Sequence, residues 1–170
     1  MTPARTRLWD LAGLVARLIL GGVWIVAGWL KLPDPAESVR AVRAYRLLPE
    51  AVVPTVGHGL PLLELVIGLL LVVGLAVRVG ASISLVLQVA FIIGISSAWA
   101  RGLQIDCGCF GGGGVVEDAT AAYPWDIARD VGLALLAAFL VLRPSSALSI
   151  DRMLTPRVHP RETSEGDLDE

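Results

Sequence analysis

Long runs of apolar residues constrain this chain more than any other feature of its sequence. Three runs approach the ~20 residues that an α-helix needs to cross ~30 Å of hydrocarbon, and they occupy residues 8–30, 58–77 and 80–100. A fourth segment, 125–142, carries Arg129 and Asp130 near its start, where a charged end can lie in the interface or against other helices. The sequence therefore predicts an all-α integral membrane protein with a four-helix bundle.

The composition supports the same class. Hydrophobic residues make up 55% of the 170 residues, which is more than a water-soluble domain needs. The net charge is only −2 and the basic residues are scattered, so no face is suited to neutralising phosphates. Nucleic acid is therefore not an expected partner, whereas the lipid bilayer is.

The segments outside the spans predict one more helix and a tail. Residues 31–54 open with the turn sequence LPDP and then place apolar side chains at helical spacing from Val39 to Leu48, with arginines on another face. This pattern is typical of a helix that lies in the membrane interface, here between the first two spans. The sequence as a whole predicts a membrane domain over 1–143 and a polar, disordered tail over 144–170.

Four spans place both termini on the same side of the membrane. The two sides carry nearly equal numbers of arginine and lysine residues, but Arg5 and Arg7 before the first span and the arginine-rich start of the tail favour cytoplasmic termini. The loop after the third span then lies outside the cytoplasm. On that side of the membrane, a pair of thiols can be held oxidised.

That loop contains the only two cysteines of the chain, in the sequence IDCGCFGGGG. Cys107 and Cys109 flank one glycine, so a disulfide between them closes a very small ring, and Gly108 permits backbone angles that a side chain would hinder. Such a ring departs from relaxed geometry and is easily reduced, and it closes too little chain to stabilise the fold by much. The pair is therefore predicted to exchange disulfides, and the glycines that follow predict a loop that moves towards a partner.

Other charged residues are predicted near the cysteine pair or inside the membrane. Glu64 lies about six residues, or ~9 Å, into the second span, and Lys31 at the end of the first span can reach down to it. This pair has two interpretations: an ion pair that closes the bundle, or a polar pocket under the cysteine loop that handles a quinone carbonyl or a proton. Arg101 and Arg129 offset the acidic residues around the thiols, and Asp130 accompanies Arg129.

Two further polar residues are predicted deeper in the bundle. Arg17 in the first span and Gln88 in the third are each roughly 20 Å from the outer face, which makes them plausible partners. Arg17 is far from the thiols, so we interpret it as structural.

Two alternatives to disulfide exchange remain open. Two thiolates in a C-x-C spacing can bind a soft ion such as Cu(I), although a closed zinc site needs four ligands. The nearest histidine, His58, is expected at the outer surface, whereas His159 lies in the tail, so no metal site is assigned. The other alternative is a non-catalytic membrane scaffold on which partner proteins assemble.

Five stretches of the chain resemble the MauE family of methylamine-utilisation membrane proteins, within a wider DoxX-like group of four-helix membrane proteins. They occupy residues 16–35, 41–49, 59–75, 106–111 and 129–137. The most specific of them is DCGCFG after the third span, together with the Arg-Asp pair that enters the fourth. The similarity touches all four predicted spans.

The resemblance implies a redox-associated protein of the bacterial cell membrane that works with a thioredoxin-like partner outside the cytoplasm. It implies support of disulfide formation in exported proteins, such as the small subunit of methylamine dehydrogenase in methylamine metabolism. Oxidising membrane proteins of the DsbB or vitamin K epoxide reductase type generally use two cysteine pairs, whereas this chain has one, so its exchange must be direct. Such an enzyme is a thiol–disulfide oxidoreductase, with a quinone or another molecule as its electron acceptor.

Overall fold

The computed structural model describes residues 3–109, 111–112, 114–115 and 119–143. In these ranges the chain forms five α-helices, and β-structure is limited to isolated bridges. The helices are α1 Pro3–Lys31, α2 Pro35–Ala44, α3 Val53–Val73, α4 Val77–Ala100 and α5 Ala119–Leu142. The predicted all-α class is confirmed, and the predicted tail over 144–170 lies outside the described residues.

Among the described residues, three helices are long and apolar enough to cross a membrane: Arg7–Lys31, Val53–Val73 and Val77–Ala100. Large apolar side chains on these helices face outward, as Val86 does with 67% of its surface exposed. A continuous apolar exterior is unfavourable in water and normal against lipid. The protein is therefore a multi-pass membrane protein.

The fourth long helix, α5, carries charged residues in its first half, including Asp126 and Arg129, and is otherwise apolar. It runs antiparallel to α4, because one core cluster joins Val77 to Leu140 and another joins Ile95 to Ala119. The charged half of α5 consequently lies beside the end of α4 from which the cysteine loop leaves.

The helix that corresponds to the second predicted span, α3, begins and ends earlier than the apolar segment 58–77. Pro54 occupies its first turn, where proline is favoured because the missing N–H has no partner within the helix. The helix ends where Gly74 adopts the left-handed conformation, with φ at 80°. The apolar sequence continues through Leu75 to Val77, so hydropathy alone does not reveal that the helix ends at Gly74.

Helices α1 and α3 cross in direct backbone contact. A Cβ atom added to Gly68 would lie 2.8 Å from the carbonyl oxygen of Gly21, and one added to Gly21 would lie 2.9 Å from that of Gly68. Small residues permit this approach, which is a common way for helices to associate in a membrane. The crossing places the end of α1, with Lys31, beside Glu64 of α3.

The predicted helix between the first two spans is present as α2. The side chain of Asp34 accepts a hydrogen bond from the backbone N–H of Glu37, and Pro35 occupies the first turn, so the start of the helix is capped. Its buried face packs on α3, where Val39 lies against Gly57. The helix ends at Ala44, so it is shorter than the predicted pattern, which continued to Leu48.

Arg17 and Gln88 occupy different surroundings within the bundle. The guanidinium of Arg17 is buried against Gly74, at the end of α3, where helix carbonyls carry partial negative charge. Gln88 is buried in α4 and lines a small cavity together with Glu64.

Candidate functional site

Cys107 and Cys109 lie in the loop from α4 to α5 and are joined by a disulfide, with their Cα atoms 5.5 Å apart. Both residues are half-buried. The loop rests on the end of the bundle where α1 and α4 terminate and α5 begins. The pairing that the spacing predicts is therefore present in the structure.

Hydrogen bonds from the two tyrosines of the chain fasten this loop to the helices. The hydroxyl of Tyr45, at the end of α2, donates to the carbonyl oxygen of Cys107 over 2.9 Å. The hydroxyl of Tyr123, in α5, donates to the carbonyl oxygen of Leu103 over 2.7 Å and accepts from the backbone N–H of Ile105 over 3.1 Å. Burial raises the pKa of Tyr45 above its ordinary value, so its hydroxyl remains a hydrogen-bond donor at neutral pH.

The glycine between the cysteines is required by both its conformation and its surroundings. Gly108 has a φ of 68°, in the left-handed region that side chains disfavour. A Cβ atom at this position would also lie 2.9 Å from the Cβ atom of Ala41 in α2. The backbone N–H of Gly108 donates to a carboxylate oxygen of Asp106 over 3.0 Å, which closes the turn.

The guanidinium of Arg129 joins the disulfide to α5. Its Nη2 atom lies 3.5 Å from the Sγ atom of Cys107, and its other nitrogens donate to Asp126 over 2.9 Å and to Asp130 over 3.0 Å. A cation beside a sulfur atom favours the thiolate that forms when the disulfide opens. Arg129 is thus where the sequence analysis expected it, beside the thiol pair.

Asp130 is buried under the cysteine loop. One of its oxygens lies within 4.8 Å of the Sγ atoms of both Cys107 and Cys109. Asp130 is only 1% exposed. Among the described residues, the charged group that donates a hydrogen bond to its carboxylate is Arg129. Asp130 is therefore close enough to exchange a proton with a cysteine through one water molecule.

The predicted contact between Lys31 and Glu64 is present. Their Nζ and Oε1 atoms are 2.6 Å apart, and the two side chains are 4% and 0% exposed. Arg101 occupies a different place: it donates to the carbonyl oxygens of Tyr45 and Ser97, so it connects α4 to the end of α2. Among the described residues, Arg101 is therefore connected to the thiol pair through Tyr45.

A small cavity of about 10 Å³ lies between the disulfide and the middle of the bundle. Its polar wall includes Cys109, Asp130, Glu64 and Gln88, while Trp24 and Phe91 contribute apolar surface. The cavity is thus bordered by Glu64, the partner of Lys31, and by the Arg129–Asp130 pair. Glu64 therefore takes part in an ion pair and also lines a cavity under the cysteine loop.

A larger groove of about 280 Å³ lies on the other side of the loop, between α2, α3 and α4. Leucine, valine, alanine and phenylalanine side chains form most of its wall. Lys31, Ser38 and Tyr45 provide polar groups, and Gly108 lies at its edge. Lys31 consequently faces the groove while its partner Glu64 faces the small cavity.

Three contributors to the site were not predicted as such: Tyr45, Tyr123 and Asp126. Tyrosine occurs only twice among the 170 residues, and both tyrosines lie against the cysteine loop. Their rarity in the sequence is the signal that could have indicated their role. Asp126 precedes Arg129 by one helical turn, a spacing that favours an ion pair. His58 is exposed and its Nδ1 atom lies 2.7 Å from the carbonyl oxygen of Pro54, away from the cysteine cluster.

Comparison with known proteins adds one finding. A sequence model described as methylamine utilisation protein MauE matches residues 10–143. No curated protein and no solved structure matches the chain significantly. The matched range contains both cysteines, Arg129, Asp130 and the Lys31–Glu64 pair.

Proposed function

The chain belongs to the MauE family of methylamine utilisation proteins, and on that premise we propose that it is a membrane thiol–disulfide oxidoreductase. Its Cys107–Cys109 disulfide oxidises the dithiol of a thioredoxin-like partner outside the cytoplasm, in support of disulfide formation in exported proteins. The observation that carries the proposal is the contact between Arg129 and the Sγ atom of Cys107. An arginine at this place stabilises a thiolate, which is useful to a disulfide that opens.

The exchange proceeds in two substitutions at sulfur. A thiolate of the partner attacks the Sγ atom of Cys109, the Cys107–Cys109 bond breaks, and Cys107 leaves as a thiolate beside Arg129. The second thiolate of the partner then attacks the partner sulfur that is bonded to Cys109, so a disulfide forms within the partner and Cys109 is released as a thiolate. Two electrons have passed from the partner dithiol to the cysteine pair, and the partner has gained a disulfide.

The position of Arg129 selects Cys109 as the sulfur that is attacked. Thiol–disulfide exchange is faster when the leaving sulfur is the better stabilised thiolate. Arg129 donates to the Sγ atom of Cys107, whereas Asp130 lies within 4.8 Å of both sulfurs, so the arginine and not the aspartate distinguishes the two cysteines. Cys107 is therefore the better leaving group.

Reoxidation of the pair needs an acceptor of two electrons and two protons, and a membrane quinone is the class that fits. A bound quinone supplies this capacity by becoming a quinol as the dithiol returns to a disulfide. The apolar groove between α2, α3 and α4 suits a lipid-soluble ring, and Lys31 and Ser38 can donate hydrogen bonds to a carbonyl oxygen. The hydroxyl of Ser38 is buried without a hydrogen-bond partner among the described residues, as expected of a group that serves a ligand.

Alkylation of intact cells with a membrane-impermeant maleimide tests the proposal. Labelling of Cys107 and Cys109 is expected from outside, and only after reduction, because the pair is oxidised at rest. The double variant Cys107→Ser/Cys109→Ser is the control and should remain unlabelled. Thiols that can be reached only from the cytoplasm would contradict the proposed orientation, and unchanged oxidation of exported proteins in both single serine variants would contradict the redox role.

A second candidate, binding of a soft metal ion, is favoured by the closeness of Cys107, Cys109 and Asp130, whose ligand atoms lie within 4.8 Å of one another. It needs the reduced pair, and Asp130 would be a hard oxygen ligand that suits Cu(I) poorly. This candidate predicts stoichiometric Cu(I) that survives purification in detergent and is lost in either cysteine variant. A scaffold role predicts instead that function survives in the double serine variant.

A further inference from the structure

The small cavity beneath the disulfide collects three buried oxygen atoms that have no hydrogen-bond partner among the described residues. They are Oε2 of Glu64, Oε1 of Gln88 and Oδ2 of Asp130. All three side chains line this cavity and are between 0% and 3% exposed. Buried polar atoms are rarely left unpaired in proteins, so their convergence on one cavity indicates that something binds there.

The size and the lining of the cavity identify a water molecule as the occupant. About 10 Å³ is close to the smallest volume that holds one water, and such a water needs two to four polar partners. Larger ligands are excluded by volume. The three oxygens belong to α3, α4 and α5, so a single water would bridge three helices.

With the amide of Gln88 oriented as in the structure, its oxygen towards the cavity, the hydrogen count of this site includes a proton in addition to the water. A water molecule donates two hydrogen bonds, whereas the cavity presents three acceptor oxygens. The third oxygen is satisfied if it carries a hydrogen and donates to the water. Gln88 cannot take up that hydrogen, so it belongs to the carboxyl group of Glu64 or of Asp130.

We propose that this cavity holds one ordered water and one stored proton, and that it delivers the proton to Cys109 when the disulfide is reduced. Asp130 is the donor, because its carboxyl group lies within 4.8 Å of the sulfur. Glu64 and the water restore the proton to Asp130. Since Lys31 pairs with Glu64 and faces the groove, the path runs from the groove to the sulfur.

The proton path rests on the proposed exchange reaction and supplies the proton that Cys109 takes up when it is released. When Cys109 leaves the mixed disulfide, its sulfur carries a negative charge next to Asp130 and away from the contact that Arg129 makes with Cys107. Transfer of a proton from Asp130 to Cys109 gives a neutral thiol. The charge remains on the carboxylate, which is paired with Arg129. The protons that the partner thiols lose enter the water outside.

Infrared difference spectroscopy of the purified protein in lipid nanodiscs, reduced with a phosphine, tests this inference. A phosphine needs no protein partner, so the result does not depend on whether a thioredoxin-like protein has been identified. The reduced-minus-oxidised spectrum is expected to contain a carboxyl C=O band that shifts in D₂O. It should also contain a water O–H band that shifts in H₂¹⁸O.

Matched variants assign the bands to this cavity. Asp130→Asn should abolish the carboxyl band, while Glu50→Gln, at an exposed carboxylate 67% accessible to solvent, should leave both bands unchanged. Gln88→Leu leaves all four residues of the two pairs, Lys31–Glu64 and Arg129–Asp130, in place and removes one acceptor, so it should shift or abolish the water band even where Asp130→Asn fails to fold. Absence of the two bands from the unaltered protein, or a water band insensitive to Gln88→Leu, would overturn the inference.

Discussion

The Nη2 atom of Arg129 lies 3.5 Å from the Sγ atom of Cys107, while the same guanidinium binds Asp126 and Asp130. One cation therefore contacts both a sulfur of the disulfide and two acidic groups beside it. In the proposed exchange, this relationship gives the two cysteines unequal roles although they are separated by a single residue.

Replacement of Arg129 should make Cys107 a weaker nucleophile. In a Cys109→Ser background, which isolates the Cys107 thiol, Arg129→Gln should slow alkylation by iodoacetamide near neutral pH by about tenfold, because the thiolate loses its counterion. Arg129→Lys should restore part of the rate. Arg43→Gln, which removes an arginine from an exposed ion pair, is the control and should have no effect. Equal rates in all variants would show that the contact does not activate the sulfur.

The oxidised protein should react with its partner at Cys109. A partner variant that keeps only its attacking cysteine cannot resolve the mixed disulfide, and iodoacetamide blocks the Cys107 thiolate that is released. Adducts with the partner on Cys109 and the alkyl group on Cys107 should outnumber the reverse by about tenfold, because Cys107 is the better leaving group. Non-reducing gels and mass spectrometry of the purified adduct measure this ratio. A ratio in the opposite sense would assign the attacked position to Cys107 instead.

The buried pair of Lys31 and Glu64 should behave as one unit. Lys31→Met or Glu64→Gln alone should destabilise the protein by about 3–5 kcal/mol, because each leaves the other member without its partner in an apolar interior. The double variant Lys31→Met/Glu64→Leu should recover most of that loss. Denaturation of the protein in mixed detergent micelles provides the measurement. Arg43→Met, at the exposed pair with Glu50, should leave stability unchanged.

The glycine between the cysteines can be tested with an internal control. Gly108→Ala introduces both an unfavourable positive φ, at about 1–2 kcal/mol, and a contact with Ala41. Gly102→Ala introduces a positive φ with no atom within 4 Å of the added carbon, so it measures the backbone cost by itself. We expect Gly108→Ala to form its disulfide more slowly than Gly102→Ala.

The addition of Ala41→Gly to Gly108→Ala should recover the difference, because it removes the methyl group that the new side chain meets. Reoxidation after reduction, followed by alkylation, gives the rates. If Gly108→Ala and Gly102→Ala behave alike, the contact between the loop and α2 is without consequence for the disulfide.

The parts of the structure that depend on hydropathy and helix geometry could be predicted from the sequence. The long apolar segments became helices, and counting residues into the second span was sufficient to bring Lys31 to Glu64. Both inferences use regular repeats, for which the rise per residue is known. The end of α3 at Gly74 could not be predicted in this way, because the left-handed stop falls inside an apolar run.

The arrangement around the disulfide could be predicted only in part. The residue types were evident, since Arg129 and Asp130 stand out in an apolar helix. Their distances to the sulfurs depend on how the loop folds back over α5, and that path is determined by hydrogen bonds from Tyr45 and Tyr123. No periodic pattern encodes such bonds between distant residues. The small cavity forms only when four helices are placed correctly relative to one another, and patterns within single segments do not determine that placement.

The anchoring of the cysteine loop by Tyr45 and Tyr123 has a steric consequence for recognition. Redox relays that swing on a tether can meet partners of many shapes, because the arm absorbs differences in approach. Here the hydrogen bonds hold the disulfide close to the helix ends, and Gly108 rests directly on α2. In the proposed exchange, the partner must therefore bring its own reactive sulfur down to the surface, which favours a thiol carried on a protruding edge over one recessed in a cleft.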